Sequence, residues 1–156
     1  MSRIKYIKPL NGNKPDGGYK CPKQLIGVSD KGTYFISFHE NVQALEMAYA
    51  GEGDWAEYHD QTFFAYIYKL KDNVKMDLNK ITYGNWEEYV GDVFGTPTEN
   101  VELIWERSEG DKYWYFRKLF ESYLLYGEAK NVYRSGKGFV IHGQENQLKN
   151  ELKVAL

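Results

Sequence analysis

The feature that most constrains the fold is a strand, a helix and a second strand that follow one another between residues 32 and 70. Residues 33–37 (TYFIS) combine β-branched and aromatic side chains, which predicts a buried strand. Apolar residues recur at helical spacing over 42–49, and Gly51 would end that helix. Residues 63–70 are apolar nearly throughout, so we expect this second strand to lie in the centre of a sheet.

The remaining elements indicate an α+β domain. Further extended segments are predicted at 3–10, 24–28, 74–78, 101–105 and 139–141, and further helices at 111–126 and 144–156. Strands and helices do not alternate regularly, so we expect mainly antiparallel sheets. A chain of 156 residues has the length of one ordinary domain, which predicts a single domain over residues 1–156.

Several features bear on the compartment in which the protein works. The sequence contains no apolar run long enough to span a bilayer. The first residues lack the apolar core of a secretory signal, and the single cysteine, Cys21, cannot form an internal disulfide. We therefore expect a cytoplasmic protein, or an effector that is delivered without a cleaved signal, and no association with membranes.

Charge is segregated along the chain although the net charge is only -2. The first 31 residues are mainly basic, residues 40–60 carry six acids and no lysine or arginine, and a second acidic block runs from Glu87 to Asp111. Such asymmetry can steer a charged partner, or it can mark solvated faces. A pI of about 5.9 argues against a general binder of nucleic acid. If the acids bind a basic partner, neutralising Glu52, Asp54 and Glu57 would weaken that binding.

Motifs that identify common sites are absent from the sequence. It contains no phosphate-binding GxxxxGK[ST], no GxGxxG, no HExxH and no paired CxxC. His59 and Asp60, near Asp54, could ligate a metal, and a metal-dependent hydrolase built there is one hypothesis. A divalent site needs a more defined ligand set, so no metal site is predicted.

The segment Gly32-Thr33-Tyr34-Phe35-Ile36-Ser37, the alanine-rich helix after it and the strand Tyr66-Ile67-Tyr68 that leads to Asp77 resemble the ADP-ribosyltransferase superfamily. The resemblance covers about residues 32–77. It implies a fold in which two small, mainly antiparallel sheets, flanked by helices, form a cleft that binds NAD. It also implies transfer of ADP-ribose to a macromolecular acceptor, which we expect to be a protein.

The same resemblance implies the residues that bind NAD. In that family an aromatic ring stacks on nicotinamide and a serine hydroxyl holds its carboxamide. Tyr34 and Phe35 lie at the aromatic strand, Ser37 would be the hydroxyl donor, and His39 stands where toxins of the family have a serine. Arg3, on a strand-like segment before this core, would hold the NAD phosphate.

A degenerate motif implies the catalytic carboxylate. The family has E-x-E or Q-x-E at the start of a later strand, and this chain has Asn100-Val101-Glu102 there. The resemblance therefore implies that Glu102 stabilises the positive charge that develops as nicotinamide leaves, and that Asn100 contributes to substrate recognition. Glu99, Glu106 and the adjacent pair at 87 and 88 are rivals for the carboxylate.

Two functions of different classes follow. The first is an ADP-ribosyltransferase-like enzyme that uses NAD as a substrate. The second is a non-enzymatic inhibitor or adaptor that binds a partner protein through acidic and tyrosine-rich surfaces, since a fold does not fix a function. The sequence leaves the oligomeric state and the acceptor open.

Overall fold

A computed structural model describes residues 3–10, 24–40, 63–109, 113–135 and 138–141. Five antiparallel strands form one sheet in chain order: β1 (Ile4–Pro9), β2 (Gln24–Ser29), β3 (Gly32–Glu40), β4 (Phe63–Leu70) and β5 (Val101–Glu109). The described residues contain two α-helices, numbered in chain order as α1 (Trp86–Tyr89) and α2 (Tyr113–Tyr126). Strand β6 (Val132–Ser135) pairs with β7 (Gly138–Ile141) in a hairpin.

The α+β class is confirmed, and β4 pairs on both sides, with β3 and β5, as its apolar sequence predicts. In the described part of the chain the strands form a five-stranded sheet and a two-stranded hairpin, both antiparallel as expected. Helix α2 packs against both of them. The cleft between two small sheets that the resemblance implies stays a prediction. The predicted helices at 42–49 and 144–156 lie outside the described residues.

The extended segment predicted at 74–78 forms no strand, although Asp77 has an extended backbone with a φ of -79° and a ψ of 102°. The chain instead turns after β4 and enters a 3₁₀ helix, Leu78–Lys80. The Asp77 carboxylate accepts the N–H of Asn79 at 3.1 Å and so caps this helix. A short acidic side chain that can bond its own backbone favours a turn over a strand.

Helix α2 covers one face of the sheet, which we call the helix face. Its buried residues Phe116, Phe120 and Leu124 pack against strand residues that include Tyr34 and Ile67. The approach is closest at Gly27 of β2, where a Cβ would lie 2.6 Å from Leu124 Cδ1 and 2.9 Å from Phe120 Cζ. Glycine at this position therefore lets the helix sit directly on the strand.

The segment that connects β4 to β5 covers the opposite face, which we call the loop face. Ile81, Trp86 and Val90 of this segment are buried against Phe35 and Tyr68 of the sheet. The Trp86 ring meets both of those rings edge to face, at centroid distances of 5.9 and 6.4 Å. Because both faces are covered, residues 34–38 of β3 are all buried.

Candidate functional site

Tyr34 and Ser37, two of the predicted nicotinamide contacts, point to opposite faces of the sheet. Tyr34 lies on the helix face, with its ring centroid 6.0 Å from that of Tyr123. Ser37 is the cross-strand partner of Tyr66 on the loop face. Their exposed fractions are 2% and 0%. Residues three apart on a strand face opposite ways, so these two side chains do not line a common surface.

Phe35, His39 and Arg3 lie apart from one another as well. Phe35 is fully buried on the loop face against Trp86. The backbone of His39 pairs with that of Phe64, and its side chain lies outside what the structure describes. Arg3 is exposed before β1, and its backbone exchanges hydrogen bonds with Asp30 at the turn between β2 and β3.

Glu102, the predicted catalytic carboxylate, is exposed on the helix face. Its cross-strand partner is Lys69, which in turn is the partner of Tyr34. The Lys69 Nζ lies 5.9 Å from the centroid of the Tyr34 ring. Glu102 and Lys69 line a shallow cleft of about 360 Å³ together with Lys71 and Asp72. Glu102 thus shares a face with Tyr34 but stands two strands, or about 10 Å, away from it.

Asn100 stabilises the entry into β5. Its Nδ2 donates to the carbonyl oxygen of Tyr89 at 3.2 Å, and its own carbonyl accepts the N–H of Lys71 at 3.0 Å. The side-chain bond to Tyr89 accounts for an amide at this position by its role in the turn.

The predicted site residues therefore do not converge in the described part of the chain. The acidic residues Glu52, Asp54 and Glu57 and the metal candidates His59 and Asp60 lie outside the described residues. Among the described residues, no group of three or more histidine, cysteine or acidic side chains could hold a metal ion.

A tight loop at residues 91–97 presents an apolar tip to solvent. Gly91 and Pro97 form a bridge at its base. Asp92 organises the turn: its Oδ1 accepts the N–H groups of Phe94 and Thr96, both at 2.9 Å, and its backbone exchanges two further bonds with Gly95 and Thr96. Val93 and Phe94 at the tip are 50% and 80% exposed. We call residues 91–97 the Phe94 loop.

The base of the Phe94 loop rests on two tyrosine rings of the loop face. Gly95 has a positive φ of 83° and lies on the ring of Tyr66, and Gly91 lies against Tyr68, whose Oη would be 2.8 Å from a Cβ at that position. Only glycine allows so close an approach at both points. The exposed tip therefore stands on a buried, aromatic support.

Acidic side chains are frequent in the segment that contains this loop. Residues 81–106 contain no lysine, arginine or histidine and carry six acids, which are Glu87, Glu88, Asp92, Glu99, Glu102 and Glu106. Thr98 and Asn100 both donate to the carbonyl of Tyr89, so Glu99 between them lies beside α1, which carries two of these acids. The segment is therefore a continuous source of negative potential.

A bulge in β5 turns Glu106 toward the Phe94 loop. Glu102 pairs with Lys69 and Glu106 with Tyr66, so five residues of β5 lie opposite four residues of β4, with the extra residue at Ile104. Without the bulge, residues four apart would share a face. With it, Glu102 lies on the helix face and Glu106 on the loop face, beside the ring that supports Gly95.

The two tyrosines that support the Phe94 loop, Tyr66 and Tyr68, have raised pKa values. Burial raises the pKa of Tyr66, and the nearby carboxylates of Glu106 and Asp92 raise it further. Burial also raises the pKa of Tyr68, and the neighbouring Ser37 hydroxyl opposes part of that rise. Both phenols are therefore neutral at physiological pH and serve as packing groups.

Phe94 is not among the site residues that the sequence analysis predicts. Its signal was available, because an apolar pair stands between Gly91-Asp92 and Gly95-Thr96-Pro97, where turn formers place it at a loop tip. The spacing of Tyr34 and Ser37 also showed that a strand directs them to opposite faces. No feature of the sequence predicts the bulge at Ile104.

Comparisons with protein-family models, with curated proteins and with solved structures found no match to this chain. Within the described ranges, no helix has the length and the apolar character needed to cross a bilayer.

Proposed function

We propose that this protein is a non-enzymatic binding protein that docks a basic partner protein through the Phe94 surface. This surface consists of the tip residues Val93 and Phe94 and the acids Asp92, Glu99 and Glu106. The observation that carries the proposal is the 80% exposure of Phe94 on a turn fixed by Asp92.

An exposed phenylalanine on a rigid loop suits an anchor at an interface. Full burial of such a side chain contributes about 1.5 to 3 kcal/mol. A loop that is already held in one conformation loses little further entropy on binding. The bonds to Asp92 and the support from Tyr66 supply this preorganisation, so most of the burial energy of Phe94 becomes affinity.

The charges around Phe94 select the class of partner. Negative potential repels nucleic acids and anionic lipid surfaces and attracts lysine-rich and arginine-rich protein surfaces. An apolar tip inside an acidic rim therefore fits a partner with an apolar pocket bordered by basic side chains. Such a partner would associate quickly at low salt and more slowly as salt rises.

A photoreactive phenylalanine analogue at position 94 tests the proposal in a cell lysate. The matched control carries the analogue at Tyr6, which is 39% exposed on β1 at the opposite edge of the sheet. We expect position 94 to cross-link a basic protein that position 6 does not, and the purified pair to associate with a salt-sensitive affinity. Identical products at both positions, or products that are only nucleic acid or lipid, would overturn the proposal.

ADP-ribosyl transfer from NAD is the second candidate, because Glu102 lines a cleft that also contains Lys69 and Lys71. Tyr34 and Ser37 are buried on opposite faces, so the resemblance to the transferases supports this candidate only through Glu102. Ligand-observed NMR with NAD separates the two functions. Binding that disappears in Glu102→Gln and persists in Phe94→Ala would favour the transferase.

A further inference from the structure

Among the described residues, the row of side chains that ends at Glu106 stops at β5, which is an edge strand of the sheet. Successive cross-strand partners Gln24, Ser37, Tyr66 and Glu106 run across β2 to β5 on the loop face. Glu106 is exposed and makes no ion pair with any residue that the structure describes. If a further strand paired with β5, its residue opposite Glu106 would continue this row, and a cation there would complete a cross-strand pair.

The backbone of β5 offers hydrogen bonds at the same place. Within the described ranges β5 pairs with β4 alone, so alternate N–H and C=O groups of its other side have no strand partner there. Residues 105–109, after the bulge, form a regular ladder segment and contain no proline and no lysine. The segment carries a net negative charge, because Glu106 and Glu109 outnumber Arg107, and this charge favours a basic strand. Proline and lysine are among the residues that commonly prevent strand addition at an edge.

Bulges also disfavour strand addition, but this one has a second effect. By inserting Ile104, it moves Glu106 to the loop face, next to Tyr66 and hence to Gly95 of the Phe94 loop. A strand added along residues 105–109 would place alternate side chains beside Glu106 and within reach of the Phe94 surface. The edge and the loop are then parts of one interface.

We infer that the basic partner binds in part by strand addition, with an extended lysine-containing segment that pairs with residues 105–109 of β5 and places a cation opposite Glu106. This inference rests on the proposed function and specifies its binding mode. Main-chain hydrogen bonds would supply affinity. The alternate lysines would make the binding specific for an edge strand that carries Glu106.

A fluorescent peptide of alternating lysine and valine tests the inference with the whole protein. The control peptide has the same sequence and charge but carries N-methyl groups at alternate residues, which remove the N–H donors of one edge. We expect the unmodified peptide to bind at least tenfold more tightly and to slow the hydrogen exchange of backbone amides at 105–109. Glu106→Gln should weaken the binding of the unmodified peptide. Glu102→Gln, which changes a residue on the helix face, should leave this binding unchanged.

Equal affinity of the two peptides would overturn the inference, and so would slow exchange of every amide at 105–109 in the free protein, which would show an edge already covered. These outcomes separate the inference from the proposed function. If cross-linking from position 94 still captures a basic protein while N-methylation has no effect, strand addition fails and the Phe94 surface stands. If position 94 cross-links no basic protein and N-methylation of the peptide has no effect, both the proposed function and strand addition fail.

Discussion

Gly95 lies so close to the Tyr66 ring that a Cβ at Gly95 would be 2.5 Å from Tyr66 Cδ1. Its φ of 83° is also one that side chains rarely adopt. The loop that exposes Phe94 is thus fixed from beneath by a contact that accepts glycine alone. The shape of the proposed binding surface and the stability of the loop face are therefore coupled at this point.

Replacing Gly95 by alanine should destabilise the fold and distort the Phe94 loop. The left-handed backbone and the steric overlap together should lower the free energy of unfolding by about 2 to 5 kcal/mol. Gly84→Ala is the matched control, because a Cβ there would have no contact closer than 3.8 Å. Urea denaturation of both variants measures the difference, and a Gly95→Ala protein as stable as Gly84→Ala would contradict the described geometry.

The close approach of α2 to Gly27 predicts a coupled pair of substitutions. Gly27→Ala should destabilise by about 1 to 3 kcal/mol through overlap with Leu124 and Phe120, and Leu124→Ala by about 2 to 5 kcal/mol through a cavity. In the double variant the new methyl group partly fills that cavity, so the combined loss should be smaller than the sum. A double-mutant cycle from urea unfolding checks this, and additive losses would place the helix elsewhere.

Much of the fold follows from short-range patterns in the sequence. The continuous apolar run at Phe63–Leu70 predicts a strand with neighbours on both sides, and the spacing of aromatic residues predicts α2. Asp77 shows where such patterns mislead, because its side chain caps a 3₁₀ helix in a segment that looks extended. Strand β6 (Val132–Ser135) is too short and mixed in composition to give a clear pattern.

The sequence predicts less of the candidate site than of the fold. Whether a side chain is exposed, and to which face of the sheet it points, depends on how distant segments pack. Tyr34 and Ser37 have the residue types of a ligand site, yet both are buried and serve the two cores of the sheet. Phe94 has the residue type of a core position, yet local turn chemistry exposes it. The orientation of Glu106 depends on a bulge that forms only when β4 and β5 pair.

Alkaline pH should unfold the protein through its buried tyrosines. Burial raises the pKa of Tyr34, Tyr66, Tyr68 and Tyr123 above the ordinary value of 10.0. The unfolded chain therefore loses these protons first, so their contribution to stability is complete below pH 10 and is lost as the pH rises above it.

Tyrosinate absorbance and circular dichroism, followed together through an alkaline titration, measure this effect. We expect the late-ionising tyrosines to titrate with the loss of secondary structure, and Tyr68→Phe to reduce the dependence of stability on pH. Simple titration of all tyrosines near pH 10 with the fold intact would show that these phenols are accessible.

Charge reversal at two glutamates on β5 should have unequal effects on the partner. Glu106→Lys places a positive charge beside the Phe94 surface and should slow association with a basic partner by about tenfold at low salt. Glu102→Lys makes the same change in net charge on the helix face and should slow it much less. Stopped-flow association rates at several salt concentrations compare the two, and equal effects would mean that the bulge at Ile104 does not orient the binding surface.

The most direct test of the proposed function is the affinity of the cross-linked partner, once purified, for Phe94→Ala. Titration calorimetry should show a loss of at least about 2 kcal/mol, or roughly 30-fold in Kd, because the anchor side chain is removed. Tyr6→Ala, which removes an exposed aromatic ring at the opposite edge of the sheet, should change Kd by no more than about twofold. An unchanged Kd for Phe94→Ala, with its urea stability equal to that of the parent protein, would contradict the central claim that Phe94 anchors a partner.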